Sequence, residues 1–541
     1  MVPDDFECAD IIFFCAIYPE MTNPILKARL ADLVWIRADK RNVTAALAAM
    51  DSYRQIPLDK ETWIRYGREC WERAIELAKW LKRTAKPALD EMEIKIFSAF
   101  QKSTMDDGFF AFWLGELMLV NRLCTDKREV IAERLAFLGD EFRNCGDIHR
   151  ARSFFKLATE YFERLNDIQA AACMRVSEAE SWVSEAVGFT AMNFSSIAAV
   201  GCYEKAIQVY RSVPRTERGV FRVEDRIKEI RTFLADAGNN ALGEMVTIRT
   251  PVQDVSGLAE AARQAVSGKD PINALKVFAN LIPAPTMKER REQAKKHFRD
   301  FPMQALFGCT LMSRDGRVIA KRPSVDFLAE LSDNDESVRA RMIEDYKFWI
   351  NLVVRAEIMP ALWTLIPEHR LRETDFMSLA AESPVVPIGR ARLVGKALYA
   401  GYELNFDIAL HLLIPQIEHI VRECLKGAGT SVTTLDLNGI ETVVGFSTLM
   451  DRPEADKIFG EDFAFELRAL FCDAYGPNLR NELAHGLLDD SDSQSVYAIY
   501  AWWLGLKLIL NTYLKRLENE NQISDSLAGE DGSGEATSEM C

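Results

Sequence analysis

The residues best suited to chemistry lie in one short segment, Gly476-Pro477-Asn478-Leu479-Arg480-Asn481-Glu482-Leu483-Ala484-His485-Gly486. Pro477 suits a first helical turn and Gly486 suits a helix end or kink, which sets Arg480 near a helix N-terminus. There the planar guanidinium and the positive end of the helix dipole can both hold a phosphate. Asn481 and His485 stand four residues apart on one face, so the amide can orient the imidazole or share its ligand oxygen. The same Arg and His can equally cap the helix and satisfy its carbonyls. Histidine is scarce, six in 541 residues. His149, His297, His369 and His411 read as surface or core residues.

A second polar cluster, Glu418, His419 and Arg422, interrupts an apolar stripe expected to form a long helix from about Leu404 to Lys426. Glu418 and Arg422 have the spacing of a helix ion pair. From a facing helix, either could instead orient the Arg480 motif. Pro415 within this helix is expected to kink it. Tyr497, Tyr500, Trp502 and Trp503 recur at helical spacing and read as core or dimer interface, with base stacking as the alternative. Other chemistry has no footing: there is no GxxxxGK[ST], GxGxxG after a strand, HExxH or GxSxG. No cofactor and no metal site is expected. The eleven cysteines are scattered without a CxxC and read as reduced core residues.

These side chains need helices to position them. From about Pro24 to Ala241 apolar residues recur every three or four positions, which predicts successive amphipathic helices. Leu135, Leu138, Gly139 and Phe142, then Ala151, Phe155 and Ala158, have the spacing of a tetratricopeptide repeat, with Gly146-Asp147 as the turn. The echo at Ala199, Tyr203 and Ala206 starts 48 residues after Ala151, against roughly 34 for that repeat. Both a repeat-like array and an irregular bundle therefore stay open, and an array would offer a concave face to a protein or a trigger ligand. The helical pattern breaks at about Gly238 to Val255. Leu306 to Ala320, turning at Asp315-Gly316, predicts a β-hairpin, the one sheet expected. Its Arg314, Arg317, Lys321 and Arg322 form either a guarded edge or a phosphate-contacting arm.

The expected organisation is all-α: a helical domain at 1–245, a middle helical region at 246–395 holding the 306–320 hairpin, a helical bundle at 396–518, and a disordered acidic tail at 519–541. With 66 Lys plus Arg against 81 Asp plus Glu, the net charge of −15 excludes nucleic-acid binding through bulk charge. Any such site must be local. The longest uninterrupted apolar runs, Ile11 to Tyr18 and Ala498 to Leu506, are shorter than the roughly 18 to 20 residues of a membrane span. No export signal is visible, so a cytoplasmic protein without a membrane partner is expected.

The Arg480-Asn481-x-x-x-His485 segment, with the helix expected over Phe459 to Phe471 before it and that over Val496 to Leu517 after it, resembles HEPN domains, whose motif is R-x(4–6)-H with a polar residue after the Arg. The Leu404 to Lys426 helix and the Ser383 to Pro387 break complete a bundle-sized unit. The resemblance covers about residues 380 to 490, and is similar to bacterial uncharacterised helical proteins ending in a segment seen here as NLRNELAHG. It implies a bundle that homodimerises so that two motifs face one groove. In active members the groove is a metal-independent endoribonuclease site, with Arg480, Asn481 and His485 as its catalytic residues and RNA as the substrate. Other members only bind a nucleotide, an RNA or a protein. The family setting implies a toxin-like role in stress response or phage defence.

Overall fold

The computed structural model describes residues 5–37, 42–191, 195–248, 253–283, 285–327 and 335–531. Among these residues the fold is all-α with two small antiparallel hairpins. It divides into two compact units, one of residues 1–246 with the turn 314–317, the other of 247–313 and 318–541.

The first unit is built of successive packed helices from Cys8–Ile17 to Val223–Glu244. Its clearest pair is Arg128–Asn144 against Ile148–Arg164, joined by Gly146 at φ +86° and capped by Asp147, whose side chain accepts from the Arg150 N–H. Leu135, Leu138, Phe142, Ala151, Phe155 and Ala158 are all buried between helices. Gly139 is needed at this crossing, because a Cβ there would lie 2.8 Å from the Phe155 ring. Gly139→Ala should therefore cost about 1–3 kcal/mol through overpacking, read as a lower urea midpoint; an unchanged midpoint would show that Phe155 yields freely.

The second unit has one hydrophobic core running from Ala262 to Leu510. The boundary expected at 395/396 is not a boundary, since it falls inside the helix Ala391–Tyr402, whose Val394, Ala397 and Leu398 join that core. Tyr500, Trp502 and Trp503 are buried there, so they are core residues and cannot stack on bases. The Trp502 and Trp503 indoles donate to the Leu398 and Phe278 carbonyls, both at 3.0 Å. Gly401 gives Trp502 its room, as a Cβ would come within 2.3 Å of the ring. The helix Phe406–Gly427 runs through Pro415 unbroken.

The expected hairpin is present as β1 (Cys309–Met312) and β2 (Val318–Arg322), with Gly316 at φ +76° in its turn. A second, unexpected hairpin pairs β3 (Thr433–Leu435) with β4 (Glu441–Val443). Its turn is held by the Asp436 carboxylate, which accepts from the Asn438 and Ile440 N–H groups at 2.8 and 2.9 Å. The stretch expected as a disordered tail is helical as far as Asp531, where Val496–Asp531 ends. An Arg516–Glu520 ion pair at 3.3 Å supports the helix where that tail was placed; residues 532–541 lie outside those described.

The helical stretch Asp335–Glu368 is 34 residues long with a window of mean hydropathy 1.3, which no uninterrupted apolar run signalled. Half of that window is buried inside the second unit, as a core helix would be. Here the Arg290 guanidinium lies over the Tyr346 ring, 4.6 Å from its centre, and pairs with buried Glu466 at 3.6 Å, while the Tyr500 hydroxyl donates to Glu466 at 3.0 Å. Burial pushes the Glu466 carboxyl above the usual range despite Arg290. The folded state thus holds this proton more tightly than the unfolded chain, and its stabilisation is present below the ordinary Glu value of about 4.3 and lost as pH rises through the folded value. Urea midpoints of Glu466→Gln should vary less between pH 5 and 8 than those of the wild type; parallel profiles would contradict this.

Candidate functional site

The motif sits on the helix Leu479–Ala484, which follows the helix Glu461–Phe471. Pro477 precedes rather than enters that helix, because Asn478 is its N-cap, in the left-handed region at φ 51°. Leu479 is buried and anchors the start. The helix stops at Ala484, and Gly486 at φ +66° carries the chain away. His485 is therefore the C-cap residue, with an exposed side chain.

Arg480 is only partly exposed. Its Nε donates to Glu418 Oε2 at 2.8 Å and its Nη1 to Asn481 Oδ1 at 3.3 Å. Glu418 reaches it from the helix Phe406–Gly427 and accepts with its other oxygen from Arg422 Nη2 at 2.7 Å. Arg422 in turn donates to the Val444 carbonyl at 3.0 Å, fixing the chain just after β4. One carboxylate between two guanidiniums leaves a net charge of +1 on the trio. Arg480 Nη2 has no hydrogen-bond partner among the described residues, so a donor remains for a ligand anion.

Four of the five expected site residues are thus brought together: Glu418, Arg422, Arg480 and Asn481. His485 is not joined to them. Its backbone N–H bonds the Asn481 carbonyl at 3.0 Å, but the Asn481 amide donates to Asn478 Oδ1 at 2.9 Å instead of turning to the imidazole. Around the cluster, burial and the Arg390 charge push the His419 imidazole below its usual value, which disfavours its cationic form. The Cys472 thiol is pushed up to about 12, chiefly by burial, and is no nucleophile near neutral pH. Among the described residues no three His, Cys, Asp or Glu side chains group to hold a metal ion. The residues that sequence reasoning missed are Val444 and Asn478, which act through a backbone carbonyl and a cap; only the Asn438-Gly439 turn signal hinted at the hairpin beside them.

Glu418→Gln should lower stability by about 1–3 kcal/mol, since two half-buried guanidiniums lose their shared anion. The urea midpoint checks this, and a neutral result would mean that solvent already screens the trio.

Residues 1–89 match a family described as a Domain of unknown function (DUF7380). The matched stretch lies wholly within the first unit and does not reach the motif. No curated protein matches the chain.

Proposed function

We propose that the chain is a HEPN-type, metal-independent endoribonuclease acting as a homodimer through its second unit. The observation that carries this reading is the Arg480–Glu418–Arg422 trio, which holds a guanidinium with a spare donor on the same short helix that ends in an exposed histidine. In the reaction a ribose 2′-oxygen attacks the adjacent phosphorus and the bond from phosphorus to the 5′-oxygen breaks, leaving a 2′,3′-cyclic phosphate and a 5′-hydroxyl. The base removes the 2′-hydroxyl proton, an acid protonates the departing 5′-oxygen, and a cation stabilises the phosphorane charge. Arg480 supplies the cation. His485 supplies one proton-transfer group and His485 of the partner subunit the other, which removes the difficulty that five residues of ideal helix turn two side chains about 140° apart.

The reading includes a cytoplasmic setting, a role in stress or phage defence by analogy alone, and a first unit that senses the trigger. Its test is incubation with total tRNA and mixed-sequence RNA in excess EDTA, with the cut ends identified and the mass in solution measured. Metal-independent cleavage to cyclic phosphate ends by a dimer is expected. Cleavage abolished by EDTA, or 3′-hydroxyl ends, would overturn it.

A second reading, a non-catalytic module that binds a nucleotide, an RNA or a protein, is favoured by one observation: Asn481 turns away from His485. It predicts ligand binding without cut ends.

A further inference from the structure

In the first unit, well away in sequence from the motif, the ends of three helices, Phe110–Asn121, Arg128–Asn144 and Ile148–Arg164, contribute to one surface cavity of about 550 Å³. Arg122, Arg128 and Arg164 line it. This is a local excess of positive charge in a chain whose net charge is −15. Among the described residues the one carboxylate lining the cavity, Glu163, is already ion-paired with Arg175. Arg164 spends Nη1 on the Leu119 carbonyl at 2.9 Å, which fixes its guanidinium at the rim. Arg122 and Arg128 have no ion pair or side-chain hydrogen bond among the described residues, and burial, with the nearby Arg122 charge adding to it, holds the Lys79 ammonium below its usual value.

Two features make this more than a solvated basic patch. Arg128 is the first residue of a 17-residue helix, where the dipole disfavours a cation unless an anion is held there, although Glu129 shares that turn. Arg122 is the left-handed C-cap residue of Phe110–Asn121, at φ 55°, which sets its side chain at the cavity edge beside the start of the next helix. Leu119 and the largely exposed Val120 provide an apolar wall beside the three cations. The volume lies within the range of small-molecule sites.

We propose that this cavity binds a di- or triphosphate chain, its oxygens held by Arg122, Arg128 and the remaining donors of Arg164. Guanidinium groups suit such oxygens because their paired N–H groups match phosphate geometry. The inference rests on the first unit alone and is independent of the ribonuclease reading.

The test is isothermal titration of the full-length chain with inorganic tripolyphosphate and, separately, with ATP, at two salt concentrations. Both ligands should bind, more tightly at low salt. Arg122→Ala and Arg128→Gln should each weaken binding about tenfold or more, and folding should survive because neither side chain has a partner to lose. Binding of ATP with no binding of tripolyphosphate would place recognition in the nucleoside and overturn the proposal. So would wild-type affinity in both variants, or loss of binding in Arg480→Ala instead, which would move the phosphate site to the second unit.

Discussion

On the proposed ribonuclease reading, His485→Ala should lose about 10²–10⁴-fold in RNA cleavage, the range contributed by a positioned proton-transfer group, while its melting temperature stays within about 1 °C of the wild type. The two halves of that expectation come from one geometry. The imidazole is exposed, lies past the end of its helix and makes no side-chain hydrogen bond among the described residues. Removing it therefore takes away little packing, and surface substitutions of this kind shift stability by less than about 0.5 kcal/mol. Arg480→Ala is the informative contrast, because it also strips Glu418 of a 2.8 Å partner and should lower activity and stability together. Rate assays beside thermal melts of both variants separate the cases. Full cleavage by His485→Ala would end the ribonuclease reading as stated.

Gly476→Ala should be the most damaging single methyl in the second unit, costing about 3 kcal/mol or more through overpacking and roughly 6 °C or more in melting temperature. A Cβ on Gly476 would stand 1.9 Å from the Ala469 carbonyl oxygen and 3.0 Å from its carbon. That obstacle is backbone of the preceding helix and has no rotamer through which to retreat. The turn is further pinned by the Gly476 N–H bonding the Asp473 carbonyl at 3.0 Å and the Tyr475 N–H bonding the Asp473 carboxylate at 2.9 Å. Relief must come from moving the segment that leads into Leu479–Ala484, so the variant should also lose whatever Arg480 does. Urea unfolding and circular dichroism check the first effect. Wild-type stability would mean that the Glu461–Phe471 helix end shifts at little cost.

Much of the fold was legible because helical periodicity is a local signal. Leu135, Leu138, Phe142, Ala151, Phe155 and Ala158 could be assigned to one buried helix pair from their spacing, with Gly139 as the close contact. The Asp315-Gly316 turn was legible for the same reason. The β3–β4 hairpin was not, since strands of three residues carry no alternation to count. The break at Ser383 to Pro387 was legible as a break but not as part of the core: the Ser383 hydroxyl is buried and donates to the Ile509 carbonyl at 2.9 Å, tying the turn into the common core.

The candidate site divides along the same line. Glu418 with Arg422 follows from four-residue spacing, whereas Glu418 with Arg480 spans 62 positions and exists only once two helices pack. The expected link from Asn481 to His485 assumed one uninterrupted helix. Asn478 instead competes for the amide from the cap position, a choice that depends on its left-handed backbone and that spacing does not encode.

The indoles described in the cores have a use beyond packing. Trp502 and Trp503 bond the Leu398 and Phe278 carbonyls in the second unit, and Trp71 bonds the Ile56 carbonyl at 3.2 Å in the first. Side-chain protons so enclosed trade with heavy water only when the surrounding unit opens. Three resonances in a nitrogen-edited spectrum would thus time the opening of each unit separately, within one intact chain and without any attached dye.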